Sequence, residues 1–429
     1  MHRLRGQRVI ARRRTPRLRV VAISAALATS ILVAAPVGPV STAHADTVRN
    51  AEYWLADYGV QAAWNTTRGA GVTVAVIDTG VDGSVADLAG VVTGGTDVSG
   101  VGSPDGQTPV GDENEHGTMV GSLIAGRGTG PNDGVIGVAP EASLLSVSVA
   151  LGAGVVGTDD QIANAVRWAV DNGADVINMS LTRNSLDWPT SWDDAFLYAA
   201  DHDVVVVAAA GNRGSGTTEV GAPATIPGVL TVAGVDRAGD ASFDASSQGI
   251  TIAVAAPSEQ LVGVVPGGGY VRWAGTSGAT PIVSGLVALV RAAHPDLDVA
   301  GVINRIVSTA TPKGDPVPGP IYGHGLINAE AAVTADVPSV TANPMGSLKD
   351  WVATYRPSPD ASGAGPKPIA APEVGDPAKT AQPAASWWPS VAKLTMNGIP
   401  IAVISVFLML FAMIVTAAVV HVRRVRRRE

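Results

Sequence analysis

Val72-Thr-Val-Ala-Val-Ile77 runs six β-prone residues straight into Asp78-Thr79-Gly80-Val81-Asp82-Gly83. A short apolar run bounded by a Gly- and Asp-rich turn reads as a strand buried on both faces, the pattern of a parallel sheet covered by helices. Asp78 stands at the carboxyl end of that strand, the edge at which open α/β sheets gather ligands and chemistry. Taken alone, Asp-Thr-Gly is equally a turn former. The stretch therefore points to an α/β fold before it points to a function.

Two further segments put reactive side chains at the ends of elements. Glu115-His116-Gly117-Thr-Met-Val-Gly121-Ser-Leu-Ile-Ala-Gly126 places a histidine at the start of a helix of small residues that can pack closely on a neighbour. Gly275-Thr276-Ser277-Gly278-Ala-Thr280-Pro281 leads into an apolar run ending at Val290, with Pro281 near its start and His294-Pro295 closing it, which reads as a buried helix. A serine there has the positive end of the helix dipole and free N–H groups beside it, and an anion formed at its oxygen is favoured. Singly, Ser277 is a helix cap and His116 a structural histidine. Jointly they supply a hydroxyl that needs a base, an imidazole to serve as that base, and a carboxylate to orient the imidazole.

Asp78-Thr-Gly, His116-Gly-Thr and Gly275-Thr-Ser277 with Pro281 resemble the three signatures of the subtilisin-like (subtilase) serine proteases, and the order Asp, His, Ser along the chain fits that family. The resemblance runs from about residue 50 to 335. It implies a three-layer α/β/α fold with a seven-stranded, mostly parallel sheet, and an endopeptidase in which Ser277 attacks, His116 shuttles the proton and Asp78 orients His116. Val204-Val-Val-Val-Ala-Ala-Ala-Gly-Asn212 is similar to the family strand that supplies an oxyanion-hole amide, which implies that role for Asn212. By the same resemblance Ala209, Ala210 and Gly211 form one wall of the pocket for the residue before the scissile bond. Ser180, Leu181 and Thr182 form the other wall and pair with the substrate backbone as an added strand. The family often has glycine where Thr182 stands, and Arg213 offers positive charge at the pocket lip.

The two ends of the chain address it. Residues 1–19 carry eight arginines and no acid; an apolar core from Val20 to Ala35 and a small-x-small site at Ala43-His44-Ala45 follow, so residues 1–45 read as a signal peptide. Residues 46–70 are expected to pack on a catalytic domain spanning 71–335, with no separately folding inhibitory pro-domain. Residues 336–398 read as a linker; ten prolines fall within 338–390. Ile399 to Val420 carries no charge, about 33 Å as a helix against a bilayer core of roughly 30 Å, so residues 399–422 read as a transmembrane helix. Five arginines then fall within the tail 423–429, which places the tail in the cytoplasm and the catalytic part outside.

Without those basic ends 16 basic residues face 36 acidic ones, a net charge of about −20, which argues against nucleic acid as a partner. Zero cysteines exclude disulfides and thiolate chemistry. The acidic loop Asp112-Glu113-Asn114-Glu115 has no ordered ligand spacing and reads as solvated. No cofactor or metal site is assigned, although the family resemblance leaves room for a structural calcium ion. Signal peptide, subtilase domain, proline-rich linker, single span and basic tail together resemble the mycosins, membrane-anchored subtilases of type VII secretion. That resemblance implies protein or peptide substrates and secretion-machinery partners, with a structural role in the secretion complex as the alternative.

Overall fold

The computed structural model describes residues 43–152, 154–356 and 416–417. Seven of its strands are β1 (Thr73–Asp78), β2 (Val92–Asp97), β3 (Ser143–Ser148), β4 (Val176–Met179), β5 (Val205–Ala209), β6 (Leu230–Val235) and β7 (Ile252–Pro257). They form one sheet in the order β2-β3-β1-β4-β5-β6-β7, and every pairing in it is parallel. All but one are nearly continuous runs of apolar or small residues; β4 to β7 are buried throughout, as strands covered on both faces must be. A separate antiparallel hairpin pairs β8 (Leu261–Val264) with β9 (Tyr270–Trp273).

Helices fill both faces. Numbered in chain order, α1 (Ala43–Ala51), α2 (Trp54–Asp57) and α3 (Val60–Ala63) precede the sheet; α4 (His116–Ala125), α5 (Thr158–Asp171) and α6 (Thr190–Asp201) interrupt it; α7 (Thr276–Ala293), α8 (Val299–Thr309), α9 (Ala329–Thr334) and α10 (Leu348–Tyr355) follow it. α4 and α7 pack on each other, with α7 lying across β1 and β4 to β7, while α5 and α6 pack together against β1, β3 and β5. The result is the three-layer subtilisin-like architecture expected from the sequence. The chain builds β2 and β3 on one side of β1 and then crosses to β4 and β5 on the other. The carboxyl end of β1 is thus the switch point of the sheet, where the loops diverge and leave a crevice.

α7 is long and apolar enough to cross a membrane, but it is 83% buried inside the domain. It is a core helix whose seat is the sheet. The span expected at 399–422 lies outside the described residues apart from Thr416 and Ala417, which are helical. The signal peptide lies outside them as well, save for its last three residues at the start of α1.

Both flanks of the sheet domain are fastened to it. Val48, Trp54, Leu55, Tyr58, Val60 and Ala63 join the same hydrophobic core as the strands. Arg49 donates to the carbonyls of Asp133 (3.0 Å) and Gly134 (3.2 Å). At the far end, the first part of the stretch read as a linker is ordered: α10 starts at Ser347, whose hydroxyl accepts from Asp350 N at 3.2 Å. Its partner is aromatic. Trp351 packs on Trp188 with ring centroids 4.5 Å apart, and the Arg356 guanidinium lies 5.2 Å and 5.3 Å from those two rings while pairing with buried Asp193 at 2.6 Å. Proline and glycine content marked the segment as irregular, and the single helical turn pair Leu348–Tyr355 was hidden within it.

Candidate active site

Asp78 ends β1 and is 4% exposed. Its Oδ1 accepts from Thr79 N at 2.7 Å, and its two oxygens lie 2.8 and 3.0 Å from His116 Nδ1. His116 is the first residue of α4, so its position depends on how closely that helix end meets the turn after β1. Gly117 allows the approach: a Cβ there would fall 2.3 Å from the Gly80 carbonyl oxygen, and Gly117 N donates to Thr79 Oγ1 at 3.0 Å. With Nδ1 committed to Asp78, Nε2 is the ring nitrogen left for proton transfer. The indole of Trp273, on β9, meets the imidazole edge-to-face at 5.8 Å.

The charge state of His116 is set by opposing effects. Burial of the ring disfavours the cation, but the charge and hydrogen bond of Asp78, helped by Glu113 and Glu115, outweigh it and hold the pKa above its ordinary value. The exposed acidic loop before α4 thus acts on the histidine through space. Among the described residues no cluster of three or more His, Cys, Asp or Glu side chains is placed to hold a metal ion.

Ser277 is the second residue of α7. Pro281 lies four residues on and has no N–H, so the Ser277 carbonyl lacks its usual helical donor. Ser180 replaces it: Ser180 Oγ donates to Ser277 O at 2.9 Å, and Ser277 Oγ donates to Ser180 O at 3.1 Å. Behind Ser180 runs a buried relay in which Ser284 Oγ donates to Asn178 Oδ1 (2.9 Å) and Asn178 Nδ2 donates to Ser180 Oγ (3.1 Å). The turn that carries Ser277 is therefore tied to the end of β4 by side chains as well as by packing.

Asn212 follows β5. Its Oδ1 accepts from Thr276 N (2.8 Å) and Thr276 Oγ1 (2.9 Å), which commits the carbonyl half of the amide and leaves Nδ2 as the free donor. The two segments expected to form pocket walls continue from neighbouring strands: Ser180, Leu181 and Thr182 follow β4, and Ala209, Ala210 and Gly211 close β5. The Arg213 guanidinium lies 4.9 Å from the ring of exposed Phe243.

All ten residues singled out in the sequence thus lie along one edge of the sheet or at the helix ends beside it. Asn178, Ser284, Thr276 and Trp273 were missed. Of these, Asn178 carried a signal, a polar residue in the otherwise apolar run Val176–Met179.

A model of the subtilase family matches residues 69–325. The chain is 41% identical over 267 residues to subtilisin E of Bacillus subtilis (strain 168), which covers 62% of this chain; the match spans 66% of that protein's length. Among solved structures it is similar to the serine protease MycP1, described as an essential component of the type VII (ESX-1) secretion system, at 34% identity and a TM-score of 0.56, covering 66% of this chain and 88% of that one. It is also similar to the MycP3 protease from the type VII (ESX-3) secretion system, at 33% identity and a TM-score of 0.57, covering 66% of this chain and 88% of that one. A switch-point site that joins the ends of β1, α4 and α7, on a parallel sheet with these likenesses, leaves one assignment: the chain belongs to the subtilase family.

Proposed function

We propose that this protein is a membrane-anchored serine endopeptidase facing the outside of the cell, with Asp78, His116 and Ser277 as its catalytic triad. The observation that carries the reading is the Asp78 carboxylate held against His116 Nδ1 at 2.8 Å, with Ser277 the second residue of α7, the buried helix that packs on α4. Ser277 Oγ turns from the Ser180 carbonyl to the substrate carbonyl carbon and gives its proton to His116 Nε2. The tetrahedral oxyanion lies against Asn212 Nδ2 and the Ser277 N–H. Collapse breaks the C–N bond as His116 protonates the leaving amine, and water repeats the sequence on the acyl-enzyme. Ser277→Ala is expected to abolish peptide hydrolysis and labelling by a fluorophosphonate while the protein stays folded and membrane-bound; hydrolysis at an unchanged rate would remove the mechanism.

The likeness to MycP1 and MycP3 supports a place in type VII secretion, processing exported proteins, with the span at 399–422 as the anchor. The description of MycP1 as an essential component also favours a second reading, in which the protein stabilises a secretion complex and proteolysis is secondary. Complementing a deletion strain with Ser277→Ala separates the two. Restored secretion without processing selects the structural role; loss of both selects the protease.

A further inference from the structure

We infer that the groove between α1 and the β8–β9 hairpin binds a small phosphate monoester carrying an apolar chain, with its phosphate on Arg237 and Arg272. The site is separate from the triad and does not depend on the protease reading. Four parts of the chain meet there. Asn50 and Ala51 come from α1, Arg237 from the turn after β6, Gln260 from the link between β7 and β8, and Arg272 from β9; they line a cavity of about 160 Å³. A second cavity of about 420 Å³ shares Ala51 and Arg272 with the first and adds Val48, Val262, Tyr270 and Val271. Val262 and Arg272 are a cross-strand pair of the hairpin, so both lie on one face of it. The groove thus has a cationic end and a wider, mainly apolar one.

These two arginines are exceptions in the protein. Of the eleven arginines among the described residues, six pair with carboxylates and two donate to backbone carbonyls. Arg213 lies against Phe243. Arg237 and Arg272 pair with no carboxylate among the described residues, although acidic residues outnumber basic ones by 36 to 16 between the two basic ends of the chain. The carboxylates next to the groove are engaged elsewhere: Asp236 accepts from the N–H groups of Ala238 and Asp240, and Glu259 accepts from Ser242 Oγ. Arg237 is placed by an aromatic ring, its guanidinium 4.9 Å from the centre of Tyr53, and Tyr53 is anchored by donating to Glu259 O at 2.9 Å. Gln260 has a φ of 54°, a left-handed backbone that a residue with a Cβ keeps only where its surroundings hold it. Two unpaired guanidiniums match the nearly double charge and three acceptor oxygens of a phosphate monoester better than the single charge of a carboxylate. The apolar cavity alongside has room for a short alkyl chain.

The test melts the full-length chain in detergent at neutral pH with increasing butyl phosphate, inorganic phosphate or pentanoate, the ionic strength held constant with sodium chloride. Butyl phosphate should raise the melting temperature to a plateau, at about tenfold lower concentration than inorganic phosphate, the gain from burying one or two methylenes. Arg237→Gln and Arg272→Gln should each weaken butyl phosphate by about tenfold or more. Both side chains are exposed, so the variants without ligand should melt close to wild type. Arg272→Gln keeps the comparison sound even where Arg237→Gln disturbs Tyr53. A rise without a plateau, or one unchanged in Arg272→Gln, is the general salting effect of phosphate and overturns the site. Pentanoate binding as tightly as butyl phosphate overturns the phosphate assignment, and inorganic phosphate binding as tightly overturns the apolar half of the ligand.

Discussion

Ser180→Ala tests whether the turn that carries Ser277 is held by a hydroxyl in place of a helical N–H. The substitution removes the donor to Ser277 O and the acceptor of Asn178 Nδ2, both in a buried setting where Ser180 is 4% exposed. Each orphaned buried group costs about 1–3 kcal/mol, so the variant should lose about 2–4 kcal/mol after partial relaxation. At about 2–4 °C per kcal/mol for a domain of this size, the melting temperature should fall by roughly 4–16 °C. Pro281→Ala supplies the missing N–H at position i+4 from Ser277, so it should be neutral or harmful in the wild type and restore part of the loss in Ser180→Ala. The double-mutant cycle, read by thermal melts of inactive Ser277→Ala protein, should show a coupling of about 1 kcal/mol. A Ser180→Ala variant melting within a degree of its parent, or a cycle with no coupling, refutes the argument.

Asn212→Leu should lower kcat by about 10²–10³-fold with little change in KM, the size of effect that loss of one oxyanion donor has in subtilisin itself; a kcat within threefold of wild type would exclude the donor role. Glu113→Gln and Glu115→Gln remove negative charge that helps hold the His116 cation, so the folded pKa falls and the acid limb of the kcat/KM profile moves to lower pH. Because both carboxylates are exposed, the shift should be small and shrink with added salt. Glu52 is buried, and burial holds its pKa well above the usual carboxylate value even though Arg49 and the Ile136 N–H pull it down. The folded state therefore favours its protonated form, and stability is lost as pH rises from the unfolded value towards the folded one. Compared with Glu52→Gln in melts from pH 4.5 upward, wild type should lose ground steadily; parallel curves would show that Arg49 fully offsets the burial.

The architecture was legible because a parallel sheet writes itself as apolar runs with reactive residues at their ends. Val72–Ile77 and Val204–Ala210 announced two of its central strands, and the serine-to-proline run announced the start of the core helix. The walls were legible only through resemblance, since nothing in Ser180-Leu-Thr182 taken alone says what it faces. Thr276 and Ser180 were opaque for a different reason. Each acts by donating to a residue tens of positions away, Thr276 to Asn212 and Ser180 to the Ser277 carbonyl, and such pairings exist only after the sheet brings β4, β5 and α7 together. Pro281 was read as a mark of a helix start. Its effect on the carbonyl of Ser277 emerges only with the helix register, because α7 begins at Thr276 and places the proline one turn in. The order of residues 336–356 escaped notice because composition averages over a segment, whereas one arginine between two tryptophans decides whether its end docks.

That docking sets a load path. Any pull applied along the chain beyond Arg356 reaches the domain first at α10, a two-turn helix held by Trp188, Trp351 and Asp193. From α10 the chain returns to the core through the irregular segment after α9, which is held beside the start of β6 by Asn343 Nδ2 donating to Gly228 O at 3.0 Å and Gly228 N donating to Met345 O at 3.0 Å. A pull beyond Arg356 is met first at this peripheral helix, ahead of the strands and helices that carry Asp78, His116 and Ser277.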